Sequence, residues 1–135
     1  MKWNNCISPE FDVTNGVRQG GVLSPLLFTV YVNELLERLK KGIGCHLGHY
    51  NVGALGYADD ILLLCPNVAG LREMIEICEE YAKEHDILFN GNKSKYLIFG
   101  NYKYNPVVRV NNEIVPRSES ALHLGHLLHT KDTTN

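Results

Sequence analysis

The stretch LGYADDILLL, residues 55–64, places two adjacent carboxylates, Asp59 and Asp60, inside an otherwise apolar run. Ionised carboxylates in apolar surroundings are costly unless something compensates them. Because consecutive side chains on a strand point to opposite faces, the two aspartates can serve one site only if the backbone turns beside them. The stretch therefore predicts a tight hairpin buried in a sheet, with Ala58 and Asp59 at its exposed tip.

Carboxylates gathered at such a tip repel each other unless a cation neutralises them. A hard divalent cation with oxygen ligands is the natural partner, with Mg²⁺ as the default and Mn²⁺ as its substitute. Paired Mg²⁺ ions held by carboxylates drive in-line phosphoryl transfer. The alternative is a plain polar turn between two strands, because aspartate favours turns. The residues of this stretch alone leave both interpretations open.

Length and composition predict one globular domain: the chain has 135 residues, of which 44% are hydrophobic and 21% are charged. The net charge of −2 argues mildly against autonomous nucleic-acid binding. The four scattered cysteines form no CxxC pair, which favours a reduced intracellular protein: Cys6, Cys45, Cys65 and Cys78. No signal-peptide core or apolar run of about 20 residues occurs, so we expect a nuclear or cytoplasmic protein without a membrane partner. The oligomeric state is not indicated.

Two segments have the pattern of helices. In SPLLFTVYVNELLERLKKG, Ser24 is the expected N-cap, Pro25 the first helical residue and Gly42 the stop. Its apolar residues recur at helical spacing: Leu27, Tyr31, Leu35 and Leu39. A second helix is predicted from about Asn67 to His85, with one apolar stripe facing the core.

The remaining segments are strand-like. FDVTNGVRQGG predicts a short strand that leads into a glycine-rich loop, and KYLIFG predicts a strand after the second helix. PVVRV and EIV predict a hairpin around Asn111 and Asn112. Two helices interleaved with hairpin strands predict an α+β fold, with the helices on one face of a mostly antiparallel sheet.

The blocks NGVRQGGVLSPLLFTVYVNEL, GYADDILLL and FNGNKSKYLIFG, in this order and spacing, closely resemble the reverse transcriptase domain of non-LTR retrotransposons. The resemblance covers about residues 11–128, and the final ALHLGHLL is similar to the Leu-Gly block that ends the palm subdomain in this family. It implies that residues 1–135 form a partial polymerase palm. It also implies RNA-directed DNA synthesis with a pair of Mg²⁺ ions, an RNA template, a DNA primer and deoxynucleoside triphosphates.

The resemblance also implies roles for particular residues. Asp59 would ligate both metal ions and Asp60 would support that site, while Tyr57 would pack near the primer end. Lys93, in NGNKS, would donate a proton to the leaving pyrophosphate. The incoming nucleotide and its templating base would be bound by one loop: Arg18, Gln19, Gly20 and Gly21. The primer strand would be placed by the Leu-Gly block: His123, Leu124 and Gly125.

Three of these positions have alternative interpretations. Lys93 also fits a solvated turn lysine, and Gln19 fits a loop residue that satisfies backbone groups. The spacing of His123, His126 and His129 is compatible with zinc, but a strand would not place all three on one face and no cysteine lies nearby.

Departures from the family limit what the resemblance implies. Asp86 stands where the turn after the second helix usually has glycine, and we expect aspartate to keep that turn in a left-handed conformation. The family's third metal-binding aspartate, its fingers and its thumb have no counterpart in these 135 residues, since Asp12 belongs to the strand entering the Gln-Gly loop. We therefore expect the isolated polypeptide to be inactive as a polymerase. The alternative is a non-catalytic retroelement remnant that acts as a nucleic-acid or protein interaction module.

Overall fold

The computed structural model describes residues 2–4, 6–9, 12, 20–100 and 103–131. Two helices, α1 (Ser24–Leu39) and α2 (Val68–Glu84), lie among ten short strands. The strands are β1 (Lys2–Trp3), β2 (Cys6–Ile7), β3 (His46–Leu47), β4 (Tyr50–Asn51), β5 (Ala54–Tyr57), β6 (Asp60–Leu63), β7 (Val108–Val110), β8 (Glu113–Val115), β9 (Ser120–His123) and β10 (His126–His129). Each strand pairs antiparallel with its neighbour along the chain, which gives five two-stranded pairs in the described ranges. The predicted α+β class is confirmed.

Helix α2 begins and ends as its sequence predicts. The Asn67 side chain caps the N-terminus by accepting a hydrogen bond from the Gly70 N–H at 2.8 Å. At the other end Asp86 adopts a left-handed φ of 52°, and the Ile87 N–H bonds back to the Ala82 carbonyl at 2.8 Å. This is the bond of a Schellman cap, so Asp86 keeps the turn that glycine usually makes.

Helix α1 begins differently from the prediction. The expected N-cap, Ser24, is the first helical residue, and Leu23 is the cap, with no capping hydrogen bond from its side chain. The reason is that the backbone already has helical geometry before Ser24. The Ser24 N–H donates to the Gly21 carbonyl at 3.2 Å, and Leu23 has φ −88° and ψ −12°. At the C-terminal end Gly42 has φ +90°, in agreement with its predicted role as the stop.

The core lies where α1, α2 and strand β5 meet. Its buried residues are Leu35, Leu39, Ala54, Met74, Cys78 and Tyr81. The apolar stripe predicted on α1 is therefore buried only in its second half, since Leu27 and Tyr31 are each about half exposed. A smaller cluster of Ile75, Val108 and Val115 attaches hairpin β7–β8 to α2.

Polar contacts also hold the two helices together. Arg38 bonds to Glu34 on its own helix and to Glu84 on α2, each at 2.8 Å. The hydrogen bond from Arg38 lowers the pKa of the Glu84 carboxyl. The hydroxyl of Tyr81 donates to the Tyr31 carbonyl at 2.7 Å. Helix α2 is thereby fixed against α1 at its C-terminal end.

The strand predictions are confirmed in part. PVVRV and EIV form β7 and β8, and Asn111 and Asn112 both take positive φ between them, as a type I′ turn requires. The strand predicted at KYLIFG is wrong, because only Tyr96 forms an isolated bridge, with Arg117. In this bridge the Tyr96 N–H donates to the Pro116 carbonyl at 3.2 Å and the Tyr96 carbonyl accepts the Ser118 N–H at 2.9 Å, and Pro116 has no N–H to extend the ladder toward residue 94. The strand expected in FDVTNGVRQGG falls largely outside the described residues.

In the part of the chain that the structure covers, no helix is long and apolar enough to cross a membrane. The cysteines Cys6, Cys45, Cys65 and Cys78 are all free thiols in the structure. Cys78 is buried against the core, and that burial raises the pKa of its thiol to about 12. It therefore remains a thiol near neutral pH and contributes as a small apolar side chain.

We predict that Leu39→Ala lowers the free energy of unfolding by about 2–5 kcal/mol, because its fully buried side chain would leave a cavity between the helices. Leu26→Ala, on the same helix but 62% exposed, is the matched control and should change stability by less than about 0.5 kcal/mol. Urea unfolding followed by circular dichroism measures both. Equal losses would contradict the core as described.

Candidate active-site hairpin

The two aspartates lie at the tip of hairpin β5–β6. Tyr57 pairs with Asp60, so Ala58 and Asp59 form the two-residue connection, as predicted. Ala58 has φ +50°, a left-handed conformation that costs an L-residue about 1–2 kcal/mol. Such strain is characteristic of functional sites, where the surrounding structure holds an unfavourable conformation in place.

One face of the hairpin packs on the helices. Gly56 and Ile61 are cross-strand partners, and a Cβ added at Gly56 would lie 3.1 Å from Leu36 and 3.2 Å from Val32 on α1. Ile61 packs against the core on the same face. Glycine at position 56 therefore allows the hairpin to lie close against α1.

The other face of the hairpin is open. Leu55 is 49% exposed and Tyr57 is 65% exposed, although the sequence predicted a hairpin buried in a sheet with its tip exposed. That expectation was wrong because β5 and β6 pair only with each other among the described residues, so no neighbouring strand extends the pair into the predicted sheet. Asp59 and Asp60 are both exposed, and no hydrogen bond or ion pair from residues 20–100 or 103–131 reaches either carboxylate.

The base of the hairpin is fixed by a close backbone crossing. A Cβ added at Gly53 would lie 2.7 Å from the Cα of Gly44, so neither glycine can carry a side chain without moving the backbone. Hydrogen bonds join the same segments: the Cys45 N–H donates to the Leu64 carbonyl at 2.9 Å, and the Leu64 N–H donates to Gly53 at 2.6 Å. The crossing sets the direction in which the aspartate tip projects.

Asn51 reinforces this crossing. Its side-chain amide donates to the carbonyls of Lys40 and Ile43, and its oxygen accepts the Gly53 N–H at 2.8 Å. The hairpin is thus tied to the C-terminal end of α1. The sequence analysis missed this residue, although an asparagine two residues before a glycine is the local signal of such a turn.

Lys93 lies on a turn beside the hairpin. The Asn90 side chain accepts the Lys93 N–H at 3.1 Å, and the Asn90 carbonyl accepts the Ser94 N–H at 3.1 Å. Ser94 and Ile61 line the same cavity of about 90 Å³, so the turn adjoins the strand that starts at Asp60. Lys93 itself is exposed.

The Leu-Gly block forms the separate hairpin β9–β10. Leu124 and Gly125 connect its strands with φ of 50° and 78°, and His123 pairs with His126. Leucine is an unfavourable residue at a left-handed position, so the tip is strained. No hydrogen bond or ion pair between described residues links this hairpin to β5–β6.

The loop that is expected to bind the nucleotide lies partly outside the described residues. Arg18 and Gln19 lie outside the described residues. Gly20 is exposed with φ +79°, and the Gly21 carbonyl accepts the first N–H of α1. Among the residues that the structure describes, no three or more His, Cys, Asp or Glu side chains are grouped to hold a metal ion.

Comparison with known proteins places the chain in a family. The sequence profile described as "Reverse transcriptase (RNA-dependent DNA polymerase)" matches residues 2–128. The chain therefore belongs to the reverse transcriptase family, and the relatives below confirm the predicted non-LTR retrotransposon type.

The chain is similar to three curated retrotransposon proteins. It is 39% identical to a "Retrovirus-related Pol polyprotein from type-1 retrotransposable element R2" of Nasonia vitripennis, over 53% of this chain and 7% of that protein. It is 30% identical to the protein of the same name from Popillia japonica, over 84% of this chain and 18% of that protein. It is 28% identical to the "Probable RNA-directed DNA polymerase from transposon X-element" of Drosophila melanogaster, over 95% of this chain and 14% of that protein. The chain thus spans less than a fifth of the length of these relatives.

We predict that Gly53→Ala destabilises the protein by about 1–3 kcal/mol, because the added Cβ would collide with the Gly44 backbone. Gly56→Ala is the matched control in the same hairpin, since its Cβ would lie 3.1 and 3.2 Å from side-chain atoms of Leu36 and Val32, which need to move by only a few tenths of an ångström. Its cost should stay below about 1 kcal/mol. Chemical unfolding of both variants tests the difference, and a cheaper Gly53→Ala would contradict the crossing.

Proposed function

We propose that this chain is the part of a reverse transcriptase palm that presents the hairpin aspartates for RNA-templated DNA synthesis. The observation that carries the proposal is the exposed tip of β5–β6, where Asp59 and Asp60 have no protein partner among the described residues. In a chain of the reverse transcriptase family, two exposed carboxylates on a braced hairpin suit a metal-dependent polymerase.

The donor chemistry of the tip fits Mg²⁺, with Mn²⁺ as its substitute. Both side chains offer hard oxygen ligands, and neither is consumed by an ion pair with a described residue. A pair of bound Mg²⁺ ions supplies charge neutralisation at the attacking and leaving oxygens in phosphoryl transfer. Asp59 would hold both ions, and Asp60 would support them from the open face that it shares with Tyr57.

Other residues would bind and orient the substrates. Tyr57, exposed on the open face, would pack near the primer end of the template–primer duplex. Lys93 would hold a proton for the pyrophosphate that leaves the deoxynucleoside triphosphate. The nucleotide and its templating base would be bound by the loop before α1: Arg18, Gln19, Gly20 and Gly21. The primer would be placed by His123, Leu124 and Gly125 on hairpin β9–β10.

A polypeptide of these 135 residues alone would bind metal weakly and would not polymerise. The hairpin supplies two carboxylates, and the third aspartate that the family resemblance implies has no counterpart in the printed sequence. Phosphoryl transfer depends on positioning and electrostatics, so a missing shared ligand should have a severe effect.

We predict saturable Mn²⁺ binding by the 135-residue polypeptide, measured by electron paramagnetic resonance, and its loss in an Asp59→Asn, Asp60→Asn double variant. The physical reason is that amides replace both anionic ligands while the size of the side chains is kept. The control is a Glu73→Gln, Glu76→Gln double variant, which removes the same charge from an exposed face of α2. Equal binding by all three proteins would contradict the metal site and leave the interaction-module alternative.

We further predict that the same polypeptide incorporates no deoxynucleotide on a primed RNA template above the level of its Asp59→Ala variant. The assay measures labelled primer extension with Mg²⁺ and then with Mn²⁺. Template-dependent extension that disappears in Asp59→Ala would show that the two hairpin carboxylates suffice, which would overturn the expected inactivity.

A further inference from the structure

Hairpin β7–β8 is packed against the turn of residues 90–94, which carries Lys93 and is called the Lys93 turn below. We propose that Glu113, on β8, is a positioning residue that sets where Lys93 lies. The inference rests on the role of Lys93 in the proposed function and adds to it a residue that the sequence motifs do not include.

Glu113 contacts the Lys93 turn directly. Its Oε1 accepts a hydrogen bond from the side-chain amide of Asn92 at 3.2 Å. Gly91 is buried beside it, and a Cβ added there would lie 2.6 Å from Glu113 Oε2 and 2.9 Å from Glu113 Cβ. The Glu113 side chain therefore lies against the backbone of the turn, with no space for another side chain between them.

A second contact fixes the segment that enters the turn. The side-chain amide of Asn111, at the tip of β7–β8, donates to the Phe89 carbonyl at 2.7 Å. The backbone N–H of Asn111 donates to Glu79 of α2 at 2.6 Å. Hairpin β7–β8 is thus anchored on α2 and holds the chain immediately before the Lys93 turn.

The Lys93 turn is internally bonded, so a contact at Asn92 is transmitted to Lys93. Asn90 accepts hydrogen bonds from the Lys93 N–H at its side chain and from the Ser94 hydroxyl at its carbonyl, at 3.1 and 2.8 Å. Lys93 is the exposed cation of this turn. Loss of the Glu113 contact would release Asn92 and widen the range of positions open to the lysine.

Removing Glu113 would affect ligand binding either through the loss of its charge or through the position of Lys93, and the two causes change the affinity in opposite directions. A carboxylate near an anionic ligand is unfavourable, so removing it should strengthen binding if electrostatics alone acts. If Glu113 positions the lysine, its removal should weaken binding instead. The expected sign is therefore opposite for the two causes.

The test titrates the 135-residue polypeptide with Mg²⁺–pyrophosphate and follows the amide signals of Lys93 and Ser94 by nuclear magnetic resonance. Glu113→Ala should weaken binding about three- to tenfold, the range expected for one lost hydrogen bond. Glu113→Gln keeps an oxygen acceptor and should restore binding. Glu76→Ala, an exposed glutamate of α2, is the charge-matched control and should bind as the parent protein does.

Two further variants keep the result interpretable. Asn92→Ala removes the partner of Glu113 from an exposed position and should reproduce the loss even if Glu113→Ala folds poorly. The Lys93→Ala, Glu113→Ala double variant should bind no more weakly than Lys93→Ala alone, because Glu113 acts through the lysine.

The outcomes separate this inference from the proposed function. Weaker binding by Lys93→Ala together with unchanged or tighter binding by Glu113→Ala and Asn92→Ala would overturn the positioning role alone. No binding by the parent protein, or unchanged binding by Lys93→Ala, would contradict the role of Lys93 and the inference with it.

Discussion

The close approach of two glycines at the base of hairpin β5–β6 is the contact on which the candidate site depends. Gly44 lies in the segment after α1, and Gly53 lies directly before strand β5. Because neither residue has a side chain, the two segments cross with their backbones in contact. Asn51 then bonds this crossing to the carbonyl of Lys40, the C-cap of α1, and to the carbonyl of Ile43 just beyond the helix. Because the core packing of Leu39 fixes the helix, the hairpin inherits a defined direction relative to it.

The hairpin combines a braced base with a strained tip. Its inner face is held by Gly56 against α1, while Ala58 takes a left-handed conformation that alanine ordinarily avoids. Rigid support from below allows this conformation to persist. Asp59 and Asp60 are consequently presented to solvent on a fixed element, although the surrounding chain is strongly apolar. This answers the cost of placing carboxylates in that stretch: Ala54, Ile61 and Leu63 on one face of the hairpin pack in or against the core, and the acids lie outside it.

Hairpin β7–β8, which is packed on α2, supports the turn that carries Lys93, the candidate proton donor. Glu79 and Ile75 on that helix anchor hairpin β7–β8, and the hairpin in turn contacts the turn around Lys93. The acidic hairpin and the lysine turn are thus built on one helix pair, which Arg38 joins through Glu34 and Glu84. The function proposed from membership of the reverse transcriptase family assigns the acidic hairpin and the lysine turn to the same reaction.

Local features were determined by the sequence alone, because each depends on a few neighbouring residues: the start of α2 near Asn67, the left-handed turn at Asp86, and the hairpin tip at Ala58 and Asp59. Contacts between distant segments required the tertiary structure. Helical spacing predicted the apolar stripe of α1, but only packing decided that Leu35 and Leu39 are covered while Leu27 is not. Likewise, no local pattern brings Gly53 to Gly44 or Glu113 to Gly91, since these contacts arise only when separate elements pack together.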